Sequence, residues 1–164
     1  MLLPFFEWCE TVWLGRVVVG SLWMFPVIEA IHLLALSVLG GAILVVDMRM
    51  LGFGLTQRTV AQLARDARPF LIGALVVMIA TGIPLFLSEP TKCYYSPAFW
   101  VKMWTLAIAL IYTFTIRRRV TTRESTDTTD KAVRNTARRQ MLAGALSIAL
   151  WLTVAAAGRW IGFS

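Results

Sequence analysis

A glutamate and a histidine stand three residues apart in "VIEAIHLLAL", residues 27–36, inside an otherwise unbroken apolar run. His32 is the single histidine of the chain. An imidazole can ligate a metal, carry a proton or hydrogen-bond, and a carboxylate one helical turn away can accept its N–H. Two cations, Lys102 in "FWVKMW" and Arg159 in "AGRWIG", lie in equally apolar surroundings. Glu29 and His32 have the Glu-x-x-His spacing of di-iron bundles, but those need a second such motif and further carboxylates. No second histidine exists here, and no hydrolytic triad is readable. Haem asks for less: one axial imidazole on the iron, with Lys or Arg neutralising the propionates. His32 is therefore the candidate metal ligand, with Glu29, Lys102 and Arg159 as the other candidate cofactor-binding residues. The sixth position is open among Met24, Met103, Lys102 and the histidine of a second copy.

The elements that must hold these groups are membrane-spanning helices. The chain has 164 residues, 58% of them hydrophobic, with a mean hydropathy of +0.70. Soluble domains rarely reach that balance. Four apolar segments carry it, about 27–47, 69–88, 98–116 and 140–158, each with roughly the 17–25 residues that cross a bilayer as a helix. They are apolar nearly all round, unlike a surface helix. The expected fold is all-α: an integral membrane four-helix bundle, one domain over residues 1–164. The start, "MLLPFFEWCE", lacks the basic region of a signal peptide. Residues 4–19 predict a short interfacial helix, with Glu7, Glu10 and Thr11 on one face and Phe5, Trp8 and Val12 on the other. Pro26 marks the boundary before the first span.

The net charge of +7 does not point to nucleic acid, because of where the charge sits. Of 16 Lys and Arg, four fall in residues 48–68 and eight in 117–139, two linkers on one side of the bundle. The positive-inside rule makes that side cytoplasmic and attracts it to anionic lipid. Both termini and the loop "EPTKCYYSP" then face the periplasm of a bacterial inner membrane. Within the linkers, Thr59 and Gln62 have a capping-box spacing that predicts a short amphipathic helix over 59–67. "TTRESTDTTDK" is polar without periodicity and reads as a loop.

This topology allows a depth argument. At 1.5 Å per residue from Pro26, His32 lies roughly 9 Å below the outer boundary, with Glu29 about one turn shallower. Lys102 lies about one turn into the third span, and Arg159 at the end of the fourth. The four candidate residues thus come from three helices and share one shallow layer. Ionised groups in a span are costly and are normally paired or functional. Trp23, Trp100, Trp104, Trp160, Tyr94 and Tyr95 at the same level read as an interfacial aromatic belt. Cys9 and Cys93 fall on the oxidising side, where a disulfide between them is an open alternative to free thiols.

The segments "SLWMFPVIEAIHLLALSVLGGAILVVDMRMLG", "YYSPAFWVKMWTLAIALI" and "AGRWIGF" resemble an uncharacterised family of small bacterial four-helix membrane proteins, over nearly the whole chain. An early membrane His, Gly pairs and a later "W-x-K" are also distantly similar to copper-resistance-D-type membrane domains and J-type protoporphyrinogen oxidases. The second similarity implies haem-linked roles for His32 and Lys102. The additional histidines of the copper proteins are missing here.

The resulting expectation is a membrane b-type haem protein performing electron transfer or redox chemistry at the periplasmic side. Its partners would be the lipid bilayer, a quinone or a periplasmic redox protein, and a second copy or a larger membrane complex. The alternatives are an accessory subunit without chemistry of its own, and a small proton or metal transporter.

Overall fold

A computed structural model describes residues 3–54, 57–122 and 130–161. Two short helices, α1 (Leu3–Glu10) and α2 (Trp13–Gly20), lead into the long α3 (Met24–Met50) and α4 (Val60–Ser88). The short α5 (Pro90–Tyr95) and then α6 (Pro97–Tyr112) follow. A π-helical turn (Thr113–Arg117) joins α6 to α7 (Arg118–Thr122), and α8 (Asp130–Ile161) completes the bundle. Among the described residues four helices are long and apolar enough to cross a membrane: Met24–Met50, Val60–Ser88, Pro97–Thr121 and Val133–Trp160.

Each spanning helix buries only a narrow strip. In α3 that strip is Ala35, Leu39, Ile43, Val46 and Met50, a helical repeat. The other faces are just as apolar and point outward, with Leu34 67%, Val76 60%, Ile111 66% and Leu152 64% exposed. So much outward apolar surface is expelled by water but solvated by acyl chains. The chain is a multi-pass membrane protein.

The spans pack in the order α4, α3, α8, α6. Ala35, Leu39, Ile43, Leu71, Ala74, Met78, Ala109, Trp151 and Val154 form the main core. A second cluster, Val46, Met50, Val60, Leu63 and Ala143, ties the basic end together. Close approach of α8 to α3 relies on Gly144, where a methyl group would stand 3.0 Å from the Asp47 carbonyl oxygen. The fourth side of the bundle stays open, because α4 and α6 do not pack along their length and meet at one end, where Phe86 stacks on Phe99 with ring centroids 5.7 Å apart.

Several boundaries differ from the sequence expectation. The predicted helix over 59–67 and the second span are one helix, α4. Its capping box is complete, with the Thr59 hydroxyl accepting from the Gln62 N–H at 3.2 Å and the Gln62 side chain accepting from the Thr59 N–H at 3.3 Å. Pro69 lies inside it. Val60 and Leu63 bury against the end of α3, and that packing outweighs the backbone hydrogen bond Pro69 removes. The fourth span likewise begins inside the expected linker, so that Arg134, Arg138 and Arg139 are exposed on the first turns of α8. Of the polar stretch "TTRESTDTTDK", residues 123–129 lie outside the described residues.

The single interfacial helix expected over 4–19 is two helices. The Thr11 N–H and hydroxyl both turn back to the Trp8 carbonyl, at 3.0 and 2.7 Å, and end α1. It packs on the bundle through Phe6 and Cys9, while Phe5 and Trp8 of the expected apolar face are exposed, as a side turned to lipid would be. α2 lies on α4 through Gly15, where a Cβ would stand 2.1 Å from the Leu87 carbonyl oxygen. Backbone cannot yield there as a flexible side chain would. Gly15→Ala should therefore lift α2 and cost about 1–3 kcal/mol, read as a lower unfolding midpoint in detergent.

At the basic end the structure overturns one placement. Arg117, expected in the linker, is buried inside the bundle. The π-helical turn carries one residue more per turn than an α-helix, and it swings Arg117 inward. Its Nε donates to Asp47 Oδ1 at 2.8 Å and its Nη2 to the Ile43 carbonyl at 3.2 Å. The Tyr112 hydroxyl donates to the Ala143 carbonyl at 2.8 Å, and the Trp151 indole to Thr113 Oγ1 at 3.3 Å. The buried Ser147 hydroxyl lies beside the Asp47 carboxylate without closing a normal hydrogen bond to it. The same turn brings α7 against α4 and closes the basic end.

Candidate functional site

The open side between α4 and α6 is a cleft of about 550 Å³. Leu75, Met78 and Ile79 of α4 face Trp100, Met103 and Leu106 of α6, with His32 and Leu39 of α3 at the back. Only His32 and Lys102 among its sixteen lining residues are ionisable. Phe5 and Phe6 of α1 complete the wall at the end opposite the basic linkers. Phe6 is held among Phe86, Tyr94, Phe99 and Trp100, with ring centroids 5.1–6.4 Å apart. That cage includes Trp100 and Tyr94, two residues of the expected belt, and the Trp100 indole donates inward to the Tyr94 carbonyl at 3.0 Å. Trp23, Trp104, Trp160 and Tyr95 are outward and exposed, as a belt requires.

The orientation of His32 follows from its partner on α4. Its Nδ1 lies 2.8 Å from Thr81 Oγ1. The Thr81 hydroxyl has one proton, and that proton goes to the Val77 carbonyl at 2.7 Å. Oγ1 can then only accept, which assigns the imidazole proton to Nδ1 and leaves the lone pair on Nε2. Gly82 lies beside the ring, where even a methyl group would stand in ordinary contact with His32 Cε1, at 3.4 Å. Neither Thr81 nor Gly82 was singled out by sequence reasoning. The available signal was "ATG", the one hydroxyl in the second half of an apolar span before Ser88.

Lys102 lies along Gly158 of α8, with its Nζ 3.6 Å from where a methyl group there would stand. It is close enough to His32 and Cys93 for charge to be felt between them. No carboxylate of the described residues pairs with it. The structure thus brings His32 and Lys102 together. It separates Glu29 from both: Glu29 is exposed, lines no part of the cleft and makes no hydrogen bond to His32. A three-residue step leaves two side chains about 60° apart around a helix, enough for one to face the cleft and the other outward. Arg159 is exposed at the end of α8 and is not in the cleft wall. Of the candidate sixth ligands, Met103 and Lys102 line the cleft and Met24 does not.

Cys9 and Cys93 are free thiols on α1 and α5, which pack together. Burial pushes both thiols up from their ordinary range, and Glu89 adds to the effect at Cys93. Thiols held protonated are poor nucleophiles at neutral pH. Among the described residues no three His, Cys, Asp or Glu gather as a metal ion bound by side chains alone would need.

Among curated proteins and among solved structures, none matches this chain. Residues 5–164 match the profile of DUF6644, and the chain belongs to this family of unknown function.

Proposed function

We propose that the cleft binds haem b and that the protein performs electron transfer or redox chemistry in the membrane. The observation that carries this reading is the anchored imidazole. A metal-ligating histidine characteristically donates its second ring N–H to a fixed acceptor. His32 does so through Nδ1 to Thr81, with the Met78 carbonyl also within reach of the ring, at the back of a largely apolar cleft. One protein ligand suffices for haem, since the macrocycle supplies four nitrogens. The cleft volume of about 550 Å³ lies within the range typical of cofactor sites. Lys102, a cation with no carboxylate partner among the described residues, suits a propionate, and Arg159 is a further cation at the end of α8. Glu29 has no part in this arrangement. When bound, haem supplies one-electron redox chemistry. The chain's own residues hold the iron ligand in one tautomer, keep water away and neutralise negative charge.

The basic linkers favour a cytoplasmic position for the α7 end, so the cleft's polar groups fall in the periplasmic half of an inner membrane. A quinol in the bilayer or a periplasmic redox protein is then the reaction partner. The test is a reduced-minus-oxidised visible spectrum of protein purified in mild detergent from haem-replete cells, with a pyridine haemochromogen assay. One b-type haem per chain supports the reading, and a colourless protein removes it. Thr81→Val should keep the fold but lower haem affinity by about 10–100-fold, because the imidazole loses the group that fixes its tautomer. A haem titration of the apoprotein reads this out.

A further inference from the structure

The cleft has walls on every side but one. Behind it stand α3 and α8. At one end α1 and α5 bridge from α4 to α6, with Phe6 set into its aromatic cage. At the other end α7 packs on α4. What remains is the long slit between α4 and α6, whose lips include Ile79, Ile83 and Met103, 54%, 52% and 45% exposed. These lips lie on membrane-spanning segments, so the slit faces acyl chains. Along α4 the lining runs from Leu75 to Phe86 and along α6 from Phe99 to Leu110, about 16 Å each at 1.5 Å per residue.

We propose that the cleft is filled from the bilayer through this slit, and that its ligand is a carboxylate-bearing amphiphile dissolved in lipid rather than a water-borne molecule. The proposal rests on the haem reading, haem being such an amphiphile, and adds its route and ligand class. Three features support it. Polarity within the cleft is confined to His32 and Lys102 in the half toward α1, as an amphiphile with one polar end requires. Lys102, with no carboxylate partner among the described residues, selects for a carboxylate. The aqueous approach at that end is blocked by tightly packed rings, the stacked Phe86 and Phe99 among them, whereas along the rest of the slit α4 and α6 do not pack closely on each other.

The test uses the full chain in lipid nanodiscs. Haem is supplied either in phosphatidylcholine vesicles or on albumin in water, and growth of the Soret band is timed. Ile79→Trp with Ile83→Trp narrows the slit. It should slow both loading from vesicles and release to an aqueous haem scavenger by about tenfold, as an added barrier on the entry path does. A damaged site would instead release haem faster. The proposal is overturned if the narrowed slit loads at the parental rate, or if Phe6→Ala speeds loading from albumin while slit variants do nothing. A complete lack of haem uptake by the parent sinks the haem reading by itself. A diazirine-bearing fatty acid then decides about the slit. Labelling of the α4 and α6 walls that falls at least fivefold in Lys102→Gln keeps the proposal for another carboxylate amphiphile. Labelling indifferent to Lys102 ends it.

Discussion

His32→Ala should abolish the haem Soret band, and imidazole added at millimolar concentration should restore it. The expected effect is total because the chain offers no second histidine to take over. Truncation also leaves a hole shaped by its neighbours. Gly82 provides the flat wall against which the ring lay, and Thr81 Oγ1, its own proton committed to the Val77 carbonyl, still accepts an N–H. Free imidazole entering this hole would meet the acceptor that fixed His32 and present its other nitrogen to the cleft. Rescue by imidazole but not by a bulkier 2-substituted imidazole would tie the effect to ligation rather than folding. A Soret band unchanged in position and intensity in His32→Ala would place the iron ligand elsewhere and end the assignment.

The second large effect is expected far from the cleft's polar groups. Arg117→Leu should destabilise the bundle by about 3–5 kcal/mol, because it strands the Asp47 charge in a low-dielectric interior. Asp47 and Arg117 have side chains 0% and 7% exposed, so solvent screens the pair little. The double variant Asp47→Leu/Arg117→Leu should recover most of the loss, since removing both charges also removes both desolvation costs. Unfolding in detergent by sodium dodecyl sulfate titration measures all three proteins. Equal stability of Arg117→Leu and the parent would mean that Asp47 is neutral and the pair contributes no charge attraction. The position of α7 offers a second readout. With Arg117 gone, the π-helical turn loses the contact that draws it inward, and protease access near residues 118–122 should increase.

Apolarity made the spans legible in the sequence, since twenty consecutive residues without charge have few destinations other than a bilayer. The shared depth of His32 and Lys102 was legible for the same reason: helical rise converts sequence position into distance from a boundary. Rotation about a helix axis was harder. Glu29 and His32 are near in sequence and depth, yet a turn of about 60° sends one to the surface and the other to the cleft. Arg117 was hidden for a different reason. Its inward turn depends on a π-helical hydrogen-bond shift that tertiary packing selects, and "TFTIRRR" carries no mark of it. Thr81 became identifiable only through its contact, because a hydroxyl bonded to its own helix looks the same in sequence whether or not a histidine lies beside it.

The short helix α5 has a role that reaches beyond its own six residues. It is the only covalent link between the two walls of the cleft, standing between Glu89 at the end of α4 and Ser96 before α6. At 1.5 Å per residue it spans about 9 Å, similar to the separation of two helices in direct contact. Prolines at the first positions of both α5 and α6 fix where each begins. The gauge of the cleft is therefore written as a length, outside the residues that line it. Relatives that differ by one residue in this stretch would present the same histidine and lysine across a different gap, with α6 rotated by about 100°. Substitutions in the cleft would tune affinity, while insertions and deletions between residues 89 and 97 would change the size of molecule the site admits.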